Sequence, residues 1–195
     1  MSGNDRTERD IERAERIQKG DHVAFKALFL TYAEPLYAFV EGYTKSPEIA
    51  EELVQDLFSK IWEDRARWAP RVSVKSYLYT AARNLSLNYL EHEHVVEALK
   101  RDALADTGVQ MDPPDEGLQR RHLRQAVRAA VDELPKQCRH VFLLSRQHGL
   151  TYREIAAVLE ISTKTVESHM RRAFGHLRKL LGPHKPVESS SSTRD

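Results

Sequence analysis

Residues 151–174 read TYREIAAVLEISTKTVESHMRRAF, and they hold the side chains whose types and spacing promise chemistry. That chemistry is recognition, not bond breaking. After Ser162, the residues Val166, Met170, Phe174 and Leu177 recur at helical spacing and define one apolar stripe. Lys164, Thr165, Ser168, Arg171 and Arg172 fall on the opposite side. Guanidinium forks match guanine edges, and short hydroxyl side chains beside them suit a DNA groove. The helix before it opens on Thr151-Tyr152-Arg153-Glu154, which has capping-box spacing, and buries Ile155, Ala156 and Leu159. Ala156 is small where two helices must cross, and Val166 locks the second onto the first. This is the spacing of a helix-turn-helix. A helical hairpin with a solvated basic face has the same pattern. The turn falls on Glu160, where glycine is common; a positive φ there costs on the order of 1 kcal/mol.

A second block, residues 67–90, reads RWAPRVSVKSYLYTAARNLSLNYL. Arg67, Arg71, Lys75 and Arg83 stand among Trp68, Tyr77, Tyr79 and Tyr89, with no acid. Aromatic faces stack on unpaired bases for about 1–3 kcal/mol each while cations follow the phosphates. The tyrosines also suit a core, with Tyr77, Leu78, Ala81, Leu85 and Tyr89 on one side.

Little else in the sequence suggests a reaction. It has no phosphate-binding glycine loop and no nucleophile–base spacing, so the chain reads as a non-enzyme without cofactor. Nine histidines include His92-Glu93-His94, but no Glu-x-x-His pair recurs as a di-iron bundle needs, so no metal is expected. His140, His148, His169 and His176 read as surface or helix-end residues. Cys138, the one cysteine, lies among apolar residues and reads as an inert thiol in a reducing compartment. The N-terminus is charged and lacks a signal-peptide core, and no apolar run approaches the roughly 20 residues of a bilayer span. A cytoplasmic protein without membrane insertion is expected.

Net charge is +1, but it is unevenly placed. Residues 46–66 carry −4, residues 67–90 carry +4, residues 91–117 carry −6 and residues 118–181 carry +8. Alternating blocks of this kind point to partners of both signs.

The elements that must position these blocks are all helical. Asp21 can cap a helix with a stripe of Val23, Phe25, Leu28, Phe29 and Tyr32. Pro35 predicts a break or kink near Glu34, followed by a helix holding Leu36, Tyr37, Phe39 and Val40. After Ser46-Pro47 a third helix buries Leu53, Leu57 and Ile61 beside Val54, Phe58 and Trp62. Its other face is Glu51, Glu52, Gln55, Asp56, Ser59 and Glu63. A fourth runs over about 75–89. The fold class is all-α: two small helical domains joined by an acidic flexible linker. The bounds are 1–19 for a charged extension, 20–90 for the first domain, 91–117 for the linker, 118–181 for the second domain and 182–195 for a disordered tail. The second domain opens with a helix on Leu123, Val127, Ala130, Val131 and Leu134, ended by Pro135. Fully extended, the 27 linker residues span roughly 90 Å.

Three stretches in this order, AEELVQDLFSKIWED, VKSYLYTAARNLSLNYL and ELPKQCRHVFLLSRQHGLTYREIAAVLEISTKTVESHMRRAFGHLRKLL, resemble the sigma-70 family of transcription initiation factors. The match is to its two-domain extracytoplasmic-function (ECF) group, over roughly residues 20–181. The resemblance implies that Glu52, Gln55, Asp56, Phe58 and Ser59 dock on the β′ clamp of core RNA polymerase. Trp68, Arg71, Lys75, Tyr79, Arg83, Asn84 and Asn88 would read and melt the minus-ten promoter element. Arg153, Thr163, Lys164, Thr165, Ser168, Arg171 and Arg172 would read the minus-thirty-five element, with this domain on the β flap. It also implies an anti-sigma factor as a partner. The linker's reach matches elements about 20–25 base pairs apart, roughly 70–85 Å. TVESHMRR is also similar to the recognition helix of two-component-type activators; the acidic docking pattern of the first domain argues against that rival.

Overall fold

The computed structural model describes residues 3–70, 72–99 and 126–181. Among them every regular element is helical. The first is a helix where only a charged extension was expected, α1 (Gly3–Gln18). It lies on α2 (His22–Thr44) and buries Ala14 and Ile17. Asp10 is buried with them, accepting hydrogen bonds from the Tyr32 hydroxyl and, at 3.1 Å, from Arg13.

Asp21 caps α2 as its type predicts: Oδ1 accepts from the amides of Val23 at 2.8 Å and Ala24 at 3.1 Å. The Ala24 bond, then Arg16 at 2.8 Å from Oδ2, hold this carboxyl below the usual carboxylate range. The expected break at Pro35 does not occur; α2 runs through it. Proline removes one donor, but its ring is exposed, and Leu28, Tyr32, Leu36, Phe39 and Val40 form an unbroken buried stripe on the other side. Packing of that stripe outweighs the lost bond. Val23, placed on the stripe from sequence, is 72 % exposed in the first turn. By length and composition α2 could cross a membrane, yet its apolar stripe is packed against α3 and α4.

Lys45 takes the left-handed conformation (φ 58°) and closes α2; Ser46 then caps α3 (Pro47–Glu63) through the Ile49 amide at 3.2 Å. A 3₁₀ turn at Arg65–Arg67 leads toward α4 (Val74–Leu99). Ser73 Oγ accepts from the Ser76 amide at 2.9 Å, which fixes the start of α4. This helix is ten residues longer than the predicted end at 89 and enters the segment read as a linker. The rest of that segment, residues 100–117, lies outside the described residues, as do Leu123 and the tail 182–195.

The second half holds α5, described over 126–132, then α6 (Lys136–Arg146), α7 (Tyr152–Leu159) and α8 (Thr163–Leu181). Ala130, Val131, Leu134, Cys138, Ala173 and Leu177 form one small core. Val127, expected with them, is 39 % exposed. The larger core crosses between the halves. It runs from Ala14 and Leu28 through Leu57, Leu78 and Tyr79 to Leu144, Leu150, Ile155, Val166 and Met170. Helix α7 packs directly on α4.

Candidate nucleic-acid interface

The turn between α7 and α8 is built by local chemistry. Thr151 and Glu154 form the capping box: the Thr151 amide donates to Glu154 Oε2 at 2.8 Å, and the Glu154 amide to Thr151 Oγ1 at 3.3 Å. Glu160 ends α7 at φ 57°, the positive angle the sequence suggested. Ser162 Oγ accepts from the Thr165 amide at 3.0 Å and starts α8. Val166, Met170, Ala173 and Leu177 are buried, so the stripe passes through Ala173 and leaves Phe174 half exposed beneath Arg146. On the opposite side Thr163, Lys164, Arg171 and Arg172 are exposed, and Thr165 and Ser168 are partly so. Arg153 is exposed on α7. Lys164, Thr165, Ser168, Arg171 and Arg172 therefore share one accessible, basic face of α8, with Thr163 exposed at its first residue.

The block at residues 67–90 behaves differently. Trp68 is buried, with its ring edge-on to Tyr77 at 5.8 Å and its carbonyl accepting from Gln18 at 2.8 Å. Tyr79 is 1 % exposed, whereas Tyr77, expected in the core, is 38 % exposed. The physical reason is register: Leu78, Tyr79 and Ala82 face α2 and the second half, while Tyr77 points beside Trp68. Asn84 and Asn88 are exposed. Arg71 lies outside the described residues. Lys75, Tyr79 and Arg83 follow one another at four-residue spacing, so they share one stripe of α4. That stripe meets the second half. Lys75 Nζ donates to the Gly149 carbonyl at 2.8 Å, Tyr79 Oη lies 3.1 Å from His148 Nδ1, and Arg83 stands 4.0 Å from Glu160.

His148, at the end of α6 as one of the two expected placements has it, and His140, within α6 and not at the surface, thus both meet the first half. His148 meets the rings of Phe39 at 5.6 Å and Tyr79 at 5.2 Å. Burial, then nearby Lys75, push its pKa down to about 4. His140 lies 5.6 Å from Tyr43, and its pKa is lowered by burial and then by Lys136, Arg139 and Arg83. These partners are 74 residues apart for Lys75 and Gly149, so no local pattern in the sequence signals them.

On α3, Glu51, Glu52, Gln55, Asp56, Ser59 and Glu63 are exposed along one acidic ridge. Gln55 donates to Glu51 at 3.1 Å. Phe58 is buried, its ring 4.9 Å from Phe29 and 6.1 Å from Phe25. It belongs to the floor of a shallow groove lined by Phe25, Phe29, Trp62, Gln55 and Ser59. The groove's aromatics come from two helices, which is why sequence inspection of α3 alone missed it. Among the described residues no cluster of histidine, cysteine and carboxylate groups could hold a metal.

A model described as sigma-70 region 2 matches residues 28–94, and one described as sigma-70 region 4 matches residues 124–177, together well over half of the chain. The chain belongs to the sigma-70 family. It is 29 % identical over 170 residues to the RNA polymerase sigma factor CarQ of Myxococcus xanthus, covering 86 % of this chain and 95 % of CarQ. It is also 29 % identical to the ECF RNA polymerase sigma-E factor of Escherichia coli (strain K12), covering 82 % of this chain and 87 % of that one. The sigma factor RpoE of Bartonella quintana, solved in complex with the anti-sigma factor NepR, superposes with a TM-score of 0.62 at 25 % identity, covering 83 % of this chain and 98 % of RpoE. The chain is an ECF-type sigma-70 factor, a non-catalytic protein of promoter-specific transcription initiation. Region 2 holds the acidic ridge of α3 and the basic stripe of α4, and region 4 holds the α7–α8 surface.

Proposed function

We propose that this sigma factor divides its work among three surfaces. The α3 ridge, through Glu52, Gln55, Asp56 and Ser59, docks on the β′ clamp of core RNA polymerase, with Phe58 supporting it from beneath. The α4 region, through Trp68, Arg71, Lys75, Tyr79, Arg83, Asn84 and Asn88, reads and melts the minus-ten element. The α8 surface, through Thr163, Lys164, Thr165, Ser168, Arg171 and Arg172 with Arg153 of α7, reads the minus-thirty-five element in the major groove. The polymerase's β flap supports this second domain. The protein works in the cytoplasm, and an anti-sigma factor is the expected inhibitor, as one binds the Bartonella relative.

The observation that carries the reading is the sorting of charge by surface. On the exposed face of α3, Glu51, Glu52, Asp56 and Glu63 outnumber the one base, Lys60, while on that of α8 Lys164, Arg171 and Arg172, with small hydroxyls among them, outnumber the one acid, Glu167, opposite a fully apolar stripe. Polymerase-dependent recognition follows from the near-zero net charge, since affinity for DNA tracks the phosphates neutralised. Run-off transcription with purified core polymerase tests it. Initiation at one promoter position should require both core and this protein, and should fail when either element is scrambled. Initiation that tolerates scrambling of both elements would refute the assignment.

A further inference from the structure

Residues 151–181 hold three acids, Glu154, Glu160 and Glu167, and the first two have structural roles. Glu154 closes the capping box of α7 and accepts from Ser73 at 2.5 Å. Glu160 ends α7 in the left-handed conformation, with a carboxylate oxygen 4.0 Å from Arg83. Glu167, the one acid of α8, has neither role. It is exposed at the fifth residue of the helix, one turn beyond Lys164 and one turn before Arg171. Thr163, Glu167 and Arg171 follow at four-residue spacing, so they share one stripe, and all three are exposed. A glutamate four residues before an arginine is the favourable order for an ion pair on a helix. Among the described residues, however, no ion pair or hydrogen bond joins Glu167 to Arg171, to Lys164 or to any other group.

We infer that Glu167 is a specificity-determining residue of α8, and that it accepts a hydrogen bond from the N4 amino group of a cytosine in the minus-thirty-five element. The inference rests on the reading of α8 as the helix in the major groove. Phosphates repel a carboxylate there, so Glu167 weakens the sequence-independent attraction that Lys164, Arg171 and Arg172 supply. Only a hydrogen-bond donor can hold it in the groove, because an ionised carboxylate only accepts. Major-groove edges offer two amino donors, N4 of cytosine and N6 of adenine. Adenine sets the N7 lone pair beside N6, where it faces the second carboxylate oxygen. Cytosine sets a C5–H there, so the carboxylate fits cytosine. Guanine O6 and thymine O4 are acceptors and repel it. Position agrees, because residues near the N-terminus of a recognition helix are the ones that reach base edges.

The sign of the effect separates base reading from bulk charge. Run-off transcription with core polymerase, over promoters carrying each base at every minus-thirty-five position, compares the wild type with Glu167→Ala and Glu167→Gln. Circular dichroism checks that helicity is unchanged. The wild type should prefer cytosine at one position by about tenfold. Glu167→Ala should erase that preference while output from the three other bases rises. Glu167→Gln, whose amide both donates and accepts, should move the preference to adenine. Equal gains on all promoters, with every positional preference intact, would overturn the inference and leave Glu167 a solvated charge. Loss of a preference for a base other than cytosine would overturn it as well. A wild type that initiates alike on every minus-thirty-five sequence would instead overturn the reading of α8, and the inference with it.

Discussion

Tyr79 Oη lies 3.1 Å from Nδ1 of His148, so a tyrosine of α4 in region 2 is joined to the last residues before α7 in region 4. The neutral imidazole offers Nδ1 as an acceptor for the phenol; a protonated ring does not. His148 is hemmed by Tyr79 and Lys75 from α4 and by Phe39 from α2, and its pKa in this contact is about 4.

The contact should therefore depend on pH. The closed form disfavours protonation of His148, while an opened form exposes the ring to water with a pKa near 6.5. Closure is at full strength above that value and weakens as pH falls toward about 4, by up to about tenfold per pH unit. Scattering measured from about pH 7.5 to about pH 5 should show the particle expanding while helicity persists, and His148→Ala should weaken the dependence, leaving the part due to His140, whose pKa is also lowered at this interface. A pH-independent wild type would remove His148 as the sensitive group.

Asp56 is exposed at the middle of the α3 ridge. Asp56→Arg should leave the melting temperature nearly unchanged, because exposed substitutions shift stability by about 0.5 kcal/mol or less. It should cost about 2 kcal/mol or more in affinity for core polymerase, read by co-purification or titration. Undiminished co-purification would take Asp56 out of the contact.

Phe58 should behave in the opposite way. It is 2 % exposed and packs against Phe25 and Phe29. Phe58→Ala should lower unfolding stability by about 3–5 kcal/mol, seen in denaturant titration, with loss of core binding following from the damaged ridge. A variant of wild-type stability that fails only in docking would return Phe58 to the contact surface.

Arg171 projects from the exposed side of α8, four residues beyond Glu167. Arg171→Ala should relax discrimination at one position of the minus-thirty-five element by about 1–3 kcal/mol if its guanidinium forks onto a guanine. Promoter libraries transcribed in vitro measure this. An equal loss across all sequences would place Arg171 on a phosphate.

Features set by near neighbours were legible in the sequence. Asp21, Thr151 with Glu154, and Ser162 cap helices because their partners lie two or three residues away. The strained turn at Glu160 followed from the helix-turn-helix spacing. Features set by distant partners were not legible. Ile17 and Ala14 make a thin apolar stripe among charges, and only α2 reveals that it is buried. Pro35 signals a break by its chemistry, and the core stripe of α2 overrides it. Tyr77 and Tyr79 look alike as stacking platforms, and only the packing of α4 separates the buried one from the exposed one. The placement of His148 depends on α4, a helix some seventy residues earlier.

The central claim is that the α3 ridge grips polymerase and that DNA recognition depends on that grip. Analytical sedimentation of the labelled full chain, with core polymerase in one cell and promoter duplex alone in another, tests it most directly. The account predicts stoichiometric co-sedimentation with core and no comparable association with the duplex. Tight binding to duplex sites without any affinity for core would contradict it.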